Sequence, residues 1–330
     1  MQEFASTPAL RNEIINLLVE TGLDDDCYTE MLNYTIDLFE SHGLGADYYG
    51  YHNVNHELEV TFGTLLASKL GGEHFKISKE DLKYLYAAAL FHDFDPQKSV
   101  DKPHEESVLK FITLDKNVKQ HIESAKLDIE IVKALILRTT YPWAGQLKEN
   151  AEKQIQQCFR KAKLTKTDKQ KQEHYFKLGW FLSIVDRVYG YALGDFSKAM
   201  EMAKMNAHAL AWHPSVIVRR SVAYFEELLN NETEMVNPVL QALPKHIRKN
   251  FFDNVLSFFD LRQEEIQIQS DYLFENLKLY PVIEKMTTRQ NPEFIKVLFS
   301  IYEELPKPLQ FARDGFEESV RDPNVILNTL

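Results

Sequence analysis

Five side chains of this sequence are of the two types that most often combine in catalytic metal sites. They are His52, His56, His92, Asp93 and Asp186. Neutral imidazole nitrogen and carboxylate oxygen are ligands of Zn, Mn, Fe and Mg ions. The chemistry most typical of such a site is hydrolysis by a metal-activated water molecule. Because the five residues come from distant segments, this chemistry requires a fold that brings the segments together.

The first two histidines have a spacing that suits a helix. His52 and His56 are four positions apart, so on a helix they share one face, about one turn of 5.4 Å from each other. Asn53 is a natural helix cap, which predicts that a helix begins here, with His52 at its lip and His56 just inside. Two surface or capping histidines would have the same spacing, so this pair alone does not identify a metal site.

The two aspartates lie next to or within strongly apolar segments. Asp93 follows His92 at the end of the apolar helix predicted at 84–91, and Asp186 lies inside the most apolar helix of the chain. A buried carboxylate requires an ionic partner or a metal ion. For His92-Asp93 the alternative is a chance dipeptide, and for Asp186 it is an internal ion pair. Arg187 is not the expected partner, because adjacent residues face different ways on a helix.

Helical periodicity dominates the whole sequence, and alternating strand patterns are nearly absent. The pattern predicts helices at about 10–20, 28–39, 55–70, 82–91, 104–108, 128–136, 175–193, 196–210, 215–230, 246–260, 264–277 and 292–304. Glycines at 43 and 71–72 are typical of helix ends, and Ser78 to Asp81 is similar to a capping box. The predicted fold class is an all-α multi-helix bundle.

Composition limits the kind of protein and its partners. The 330 residues are 44% hydrophobic and 12% aromatic, which is typical of globular proteins. A net charge of −11 argues against a nucleic-acid polymer as partner. It does not exclude an anionic small molecule, because bound metal ions can invert the local potential.

Cysteine usage and hydropathy bear on location. Cys27 and Cys158 are far apart and form no paired motif, which fits a reducing compartment. We find no signal-peptide pattern and no apolar run of the roughly 20 residues that a membrane span needs. The expectation is a cytoplasmic protein with no membrane partner. No sequence feature predicts an oligomeric state.

In this order, and in an all-α chain, the five residues resemble the HD superfamily of metal-dependent phosphohydrolases. Finer motifs resemble the class I cyclic-nucleotide phosphodiesterases. Residues 51–60 read Tyr-His-Asn-Val-Asn-His-Glu-Leu-Glu-Val, similar to that family's His-Asn-x-x-His-Ala-x-Asp-Val, with Glu57 in place of Ala and Glu59 in place of Asp. Residues 91–96, Phe-His-Asp-Phe-Asp-Pro, resemble its His-Asp-x-Asp-His-Pro without the second His.

Two further stretches resemble the same family. Residues 105–109 are similar to its Asp-Glu-Ser-Val-Leu, and residues 135–139 to its Ile-Leu-Ala-Thr-Asp, with Thr140 where the Asp would be. These matches run in the family's order over about 50–190. The resemblance implies one catalytic domain over 1–330, with a metal-binding core at about 45–195 and a C-terminal helical subdomain at about 196–330.

The resemblance also implies a binuclear site and a role for each ligand. His56, His92, Asp93 and Asp186 would bind a first metal, Zn or another transition ion. Asp93 would bridge to a second metal, Mg or Mn. A water activated by both ions would attack phosphorus in line, and His52 would protonate the departing oxygen as general acid.

Other residues are candidates for supporting roles. Asn53, Asp95 and Glu106 lie near the candidate ligands in the motifs. His104 could be an additional ligand, and a histidine at a helix start is the alternative. Glu106, or Glu105 beside it, could orient His52, and a solvated acid at a helix start is the alternative for both. Candidates for the substrate pocket are Tyr51, Arg138, Tyr224 and Phe225, and core packing is the alternative for Tyr224 and Phe225. The purine-selecting Gln of the family falls at Val222, so the sequence does not predict which base is bound.

These inferences give one leading hypothesis and two alternatives. The leading hypothesis is hydrolysis of 3′,5′-cyclic nucleotides to 5′-nucleotides. The second is an HD phosphohydrolase acting on another nucleotide or phosphate ester. The third is a catalytically silent regulatory domain that binds metal. The presence of His52 favours an enzyme, because a binding module has no use for an acid at that position.

Overall fold

The structure, a computed structural model, describes residues 6–95, 105–164, 167–210 and 212–279. Within these residues the regular secondary structure consists of thirteen α-helices and one short 3-10 helix, with no strand. The predicted all-α fold class is confirmed. None of the described helices is long and apolar enough to cross a lipid bilayer.

The helices are numbered in chain order. They are α1 Thr7–Glu20, α2 Asp26–Ser41, α3 Val54–Phe75, α4 Lys79–Phe91, α5 Glu105–Leu114, α6 Lys116–Ser124, α7 Ile129–Leu137, α8 Gly145–Lys161, α9 Lys169–Ala192, α10 Phe196–Ala209, α11 Ile217–Asn231, α12 Thr233–Ala242 and α13 Lys245–Leu279. The 3-10 helix spans Pro214–Val216.

The described residues divide into two compact units. Unit 1 is the described part of Met1–Trp212 together with Glu232–Phe251, and unit 2 is His213–Asn231 together with the described part of Phe252–Leu330. The predicted metal-binding core of 45–195 lies within unit 1. The assignment of the whole chain to one catalytic domain stays a prediction.

Three helices of unit 1 form the centre of its core. α3 packs against both α4 and α9, and α4 also contacts α9. Every residue of α4 from Tyr84 to Phe91 is buried, so this helix is apolar on all faces and belongs inside a core. Its C-terminal end therefore delivers the two residues that follow, His92 and Asp93, into the interior between α3 and α9.

A glycine sets the spacing between α3 and α9. A Cβ atom at Gly63 would lie 2.5 Å from Cγ of the buried Tyr189 ring, closer than real Cβ contacts come. Only glycine lets the α3 backbone approach the ring of Tyr189 this closely. The contact holds together the two helices that carry His56 and Asp186.

The predicted helix signals are confirmed at several ends. Ser78 and Asp81 form a reciprocal capping box at the start of α4. Gly43 has a φ of 68° and follows α2, where Leu44 N donates to Phe39 O at 2.8 Å. The left-handed backbone at Gly43 is the helix end that its position predicts.

Other predicted boundaries are wrong. α3 continues past Gly71 to Phe75, because Gly71 serves close packing: a Cβ there would lie 2.9 Å from Cβ of Ala242 on α12. The helices predicted at 246–260 and 264–277 form one helix, α13. The structure also adds α6, α8 and α12, which the sequence pattern did not predict. The helix predicted at 292–304 lies outside the described residues.

Candidate metal centre

The start of α3 positions the first ligand. Asn53 immediately precedes the helix, and its Oδ1 accepts a hydrogen bond from the backbone N of His56 at 3.0 Å. Its Nδ2 donates to Gly50 O at 3.0 Å, which anchors the incoming chain. Asn53 is thus the predicted cap, and His56 lies in the first turn with a buried side chain. His52 lies outside the helix, as predicted.

The four predicted ligands come together. One potential ligand atom from each of His56, His92, Asp93 and Asp186 lies within 4.8 Å of the other three. His56 Nε2 is 3.2 Å from both Asp93 Oδ2 and Asp186 Oδ1. His92 Nε2 is 3.3 Å from Asp93 Oδ2 and 3.7 Å from Asp186 Oδ1.

These separations fit a single ion. Ligands at the Zn–N and Zn–O bond lengths of about 2.0–2.2 Å around a tetrahedral centre stand about 3.3 Å apart. Each imidazole–carboxylate separation in the cluster is close to that value. The cluster of His56, His92, Asp93 and Asp186 can therefore hold a metal ion with little rearrangement.

Without a metal ion, the two carboxylates of the cluster favour the protonated, positively charged form of its two histidines. Burial opposes protonation of His56, but hydrogen bonds to Asp186 and Asp93 outweigh it and raise the pKa of His56 to about 9. The pKa of His92 is likewise raised well above its usual value against burial, chiefly by Asp93. Burial would raise the pKa of Asp93, but His92 outweighs it and lowers that pKa to about 2. A divalent ion would take the place of the two imidazolium protons.

Glu57 contacts the cluster, although the sequence analysis did not include it among the candidate site residues. Its side chain is fully buried, and its Oε1 lies 3.2 Å from Nδ1 of His92. The same oxygen accepts a hydrogen bond from the backbone N of Asp93 at 3.4 Å. A carboxylate on the far nitrogen of a ligand imidazole fixes the orientation of the ring and makes it a better ligand. Glu57 thereby turns Nε2 of His92 toward Asp93 and Asp186.

One feature of the sequence distinguishes Glu57 from its neighbours. The family motif has Ala at this position, so Glu57 stands out only as a departure from it. The stretch around Glu57 is otherwise apolar and buried on α3, and burial raises the pKa of its carboxyl group. A carboxylate on such a segment requires a partner, and His92 is that partner.

His52 lies beside the cluster without joining it. Its Nε2 is 3.6 Å from Asp93 Oδ2. Burial lowers the pKa of His52 to about 4, so the imidazole is neutral at pH 7. The ring of Tyr51 packs against both histidines, with centroid separations of 5.1 Å to His52 and 4.3 Å to His56. Tyr51 is therefore part of the site wall, and its contact with a substrate stays a prediction.

The remaining candidates near the motifs are only partly described. Asp95 is buried at the end of the described segment 6–95, and its role stays a prediction. His104 lies outside the described residues, and so does the side chain of Glu106. The orientation of His52 by Glu106 therefore stays a prediction.

The substrate-pocket candidates divide between the two units. Arg138 directly follows α7 in unit 1, with its guanidinium over the ring of Trp143. Tyr224 and Phe225 lie on α11 in unit 2, where the fully buried ring of Phe225 packs 5.4 Å from that of Phe258. Phe225 thus has a packing role in the core of unit 2. Base stacking by either aromatic residue stays a prediction.

Comparison with known proteins adds no relative. None of the protein-family models, curated proteins or solved structures compared with the chain matches it. The case for a function therefore rests on the site itself.

Proposed function

We propose that this protein is a metal-dependent phosphohydrolase that hydrolyses 3′,5′-cyclic nucleotides. The observation that carries the proposal is the convergence of ligand atoms from His56, His92, Asp93 and Asp186 within 4.8 Å, with His52 beside them. The motifs that resemble the phosphodiesterases supply the cyclic-nucleotide class. The geometry supports phosphate chemistry more broadly.

The direction of access to the cluster favours catalysis over a purely structural metal. The imidazoles of His56 and His92 are buried, whereas the side chains of Asp93 and Asp186 are 18% and 17% exposed. A ligand would therefore approach from the carboxylate side. His52 is also partly exposed, at 17%, and its Nε2 lies 3.6 Å from Asp93 Oδ2. A purely structural metal site needs neither partly exposed carboxylates nor a fifth titratable group.

The donor set indicates the kind of metal. Two imidazole nitrogens with two carboxylate oxygens suit Zn, Mn or Fe, whereas all-oxygen sites suit Mg or Ca. We propose a transition ion held by these four residues. A second cation, Mg or Mn, would share Asp93, as the resemblance implies. When bound, such ions neutralise phosphate oxygens and activate water.

The chain's own residues would handle the proton and the orientation of the ligands. His52 would hold a proton on Nε2 and give it to the leaving oxygen. Its pKa of about 4 makes it neutral in the protein alone, so an anionic phosphate beside it must raise that pKa before it can act as an acid. Asp93 Oδ2 lies 3.6 Å from His52 Nε2, so Asp93 would attract the imidazole once it is protonated. Glu57 fixes the ring of His92.

Two other functions are compatible with the same four-residue cluster. An HD phosphohydrolase acting on another nucleotide or phosphate ester would use the same residues, and Val222 at the position of the family's Gln favours it. A catalytically silent metal-binding domain would keep the cluster without needing His52. The position of His52, 3.6 Å from the partly exposed Asp93, favours the two enzyme hypotheses.

A hydrolysis screen with matched variants tests the proposal. The full chain, its metal content measured, is assayed against cyclic mononucleotides, cyclic dinucleotides and nucleoside mono- and triphosphates. We expect turnover of cyclic mononucleotides that Asp186→Ala abolishes and Glu173→Gln leaves intact, since Glu173 is exposed on the same helix. Turnover of another class only would select the second hypothesis. No turnover by metal-loaded protein in any class would refute both enzyme hypotheses.

A further inference from the structure

A buried guanidinium in unit 1 lies under a layer of aromatic rings. Arg138 is only 2% exposed. Its guanidinium carbon is 3.9 Å from the ring centroid of Trp143, 5.3 Å from that of Phe176 and 5.6 Å from that of Trp180. All three rings are partly exposed, so the layer they form is at the surface of the unit.

Two of the three guanidinium nitrogens of Arg138 donate no hydrogen bond to the described residues. Its Nε and Nη1 atoms are buried, and among the described residues neither has a hydrogen-bond acceptor. The aromatic faces attract the positive charge, but they do not replace the oxygen acceptors that guanidinium N–H groups require. A buried cation whose donors are unmatched is costly in free energy, so this arrangement favours an acceptor supplied from outside.

Glu232 is the acidic residue whose charge acts most strongly on Arg138, and its carboxylate already accepts two hydrogen bonds from other residues. Glu232 Oε1 accepts from Arg187 Nη2 at 3.0 Å, and its Oε2 accepts from Trp180 Nε1 at 2.5 Å. Burial lowers the pKa of Arg138 to about 9 despite the opposing charge of Glu232. Both carboxylate oxygens of Glu232 therefore already accept hydrogen bonds, and neither accepts from Nε or Nη1 of Arg138.

We propose that Arg138 is the centre of a binding site for an oxyanion, the phosphate or carboxylate group of a small-molecule ligand. A planar guanidinium matches such groups in geometry and charge, and their oxygens would supply the acceptors that Nε and Nη1 of Arg138 lack among the described residues. The rings of Trp143, Phe176 and Trp180 would shield the ion pair from water.

This site is distinct from the metal cluster. Trp180 and Asp186 both lie on α9, and six residues of helix separate them by about 9 Å. The oxyanion site uses none of the four ligand residues. The inference goes beyond the proposed function and does not depend on it, because Arg138 has the same surroundings whatever the cluster binds.

Phosphate titration of the full chain tests the inference. Inorganic phosphate is added at constant ionic strength, with chloride as the replaced anion, while tryptophan fluorescence and Tm are recorded. Two of the three tryptophans of the chain line the site, so binding should change the fluorescence. We expect a saturable fluorescence change and a matching rise in Tm in the wild type. Both should be lost in Arg138→Met and weakened at least about tenfold in affinity in Arg138→Lys, which keeps the charge without the planar donor group.

Two control variants separate this site from others. Arg11→Met removes a guanidinium elsewhere in unit 1 whose Nε already donates to Asn33 Oδ1 at 2.7 Å, and it should leave the response unchanged. Asp186→Asn disables the metal cluster and should also leave the Arg138-dependent response, so failure of the proposed function is told apart from failure of this inference. No saturable response in the wild type would overturn the proposal. A folded Arg138→Met variant that responds like the wild type would also overturn it. If Arg138→Met does not fold, a wild-type response in Arg138→Lys would overturn it instead.

Discussion

Glu57 Oε1 lies 3.2 Å from Nδ1 of His92, and both side chains are fully buried. The contact joins α3 to the turn after α4, so it couples the fold to the site. It directs the other ring nitrogen of His92 toward Asp93 and Asp186, where a metal ion would lie. A metal centre built on this cluster would therefore include five residues, four that face the ion and one that orients a ligand.

Glu57→Gln should weaken metal binding without unfolding the protein. Glutamine keeps the size of the side chain but removes the charge that raises the basicity of His92. Loss of such a partner typically costs about 10–100-fold in metal affinity. Competition with a chelator of known affinity measures the change, and Glu173→Gln is the control. Unchanged affinity in Glu57→Gln would mean that the His92 ring is oriented by the backbone of Ala89 alone, whose O lies 3.0 Å from Nδ1.

His52→Ala should separate chemistry from metal binding. His52 is outside the four-residue cluster, so metal stoichiometry should be unchanged. Loss of general acid catalysis should lower kcat at least ~100-fold. Steady-state kinetics and metal analysis on the same sample give both numbers. The acid role would be disproved by a variant with full metal content and wild-type turnover.

Metal binding should release protons and strengthen as pH rises. In the protein alone, against the effect of burial, Asp186 and Asp93 raise the pKa of His56 from 6.5 to about 9, so His56 is protonated at pH 7. The metal must displace that proton, and the apparent affinity therefore falls as pH drops below about 9, by about tenfold per pH unit for each proton displaced. Calorimetry at pH 7 in buffers of different ionisation enthalpy counts the protons. We expect at least one per metal, and zero would contradict protonation of His56 in the free site.

Gly63→Ala should disturb the metal centre from a distance. The added Cβ would lie 2.5 Å from Cγ of Tyr189 and would push α3 away from α9. Overpacking of this kind costs about 1–3 kcal/mol in unfolding free energy, and the shift separates His56 from Asp186. The denaturation midpoint and the metal affinity should both fall. Gly45→Ala is the control, because the nearest atom to its Cβ would be 3.6 Å away, an ordinary contact.

The fold class could be predicted because apolar periodicity is a local pattern. The four candidate ligands could be named from their residue types and from the resemblance to the HD superfamily, and Asn53 and the end of an apolar helix indicate where His56 and His92-Asp93 lie. The residues that act through tertiary contacts could not be predicted. The role of Glu57 depends on its contact with His92, which is distant in sequence. Gly71 has the sequence pattern of a helix end, but its role is to let α3 pack closely against Ala242.

Two of the three helices that the pattern does not predict, α6 and α8, have a compositional cause. Of the seventeen residues of α8, the buried ones are Ala151, Ile155, Cys158 and Phe159. This narrow stripe packs on α7, and most of the remaining positions are polar. Periodicity is hard to detect in so polar a segment, although the stripe has helical spacing. α6, with only Val118 and Ile122 buried, was missed for the same reason.

Reloading of metal-depleted protein decides whether the cluster is a catalytic metal site. Metal bound per chain and hydrolysis of a cyclic mononucleotide are measured on the same samples as Zn or Mn is added back, for the wild type and for Asp186→Ala. We predict no turnover without metal, turnover that rises in proportion to the bound ion, and loss of both in Asp186→Ala. Full metal stoichiometry in Asp186→Ala, or equal turnover with and without metal in the wild type, would contradict a catalytic metal at these four residues.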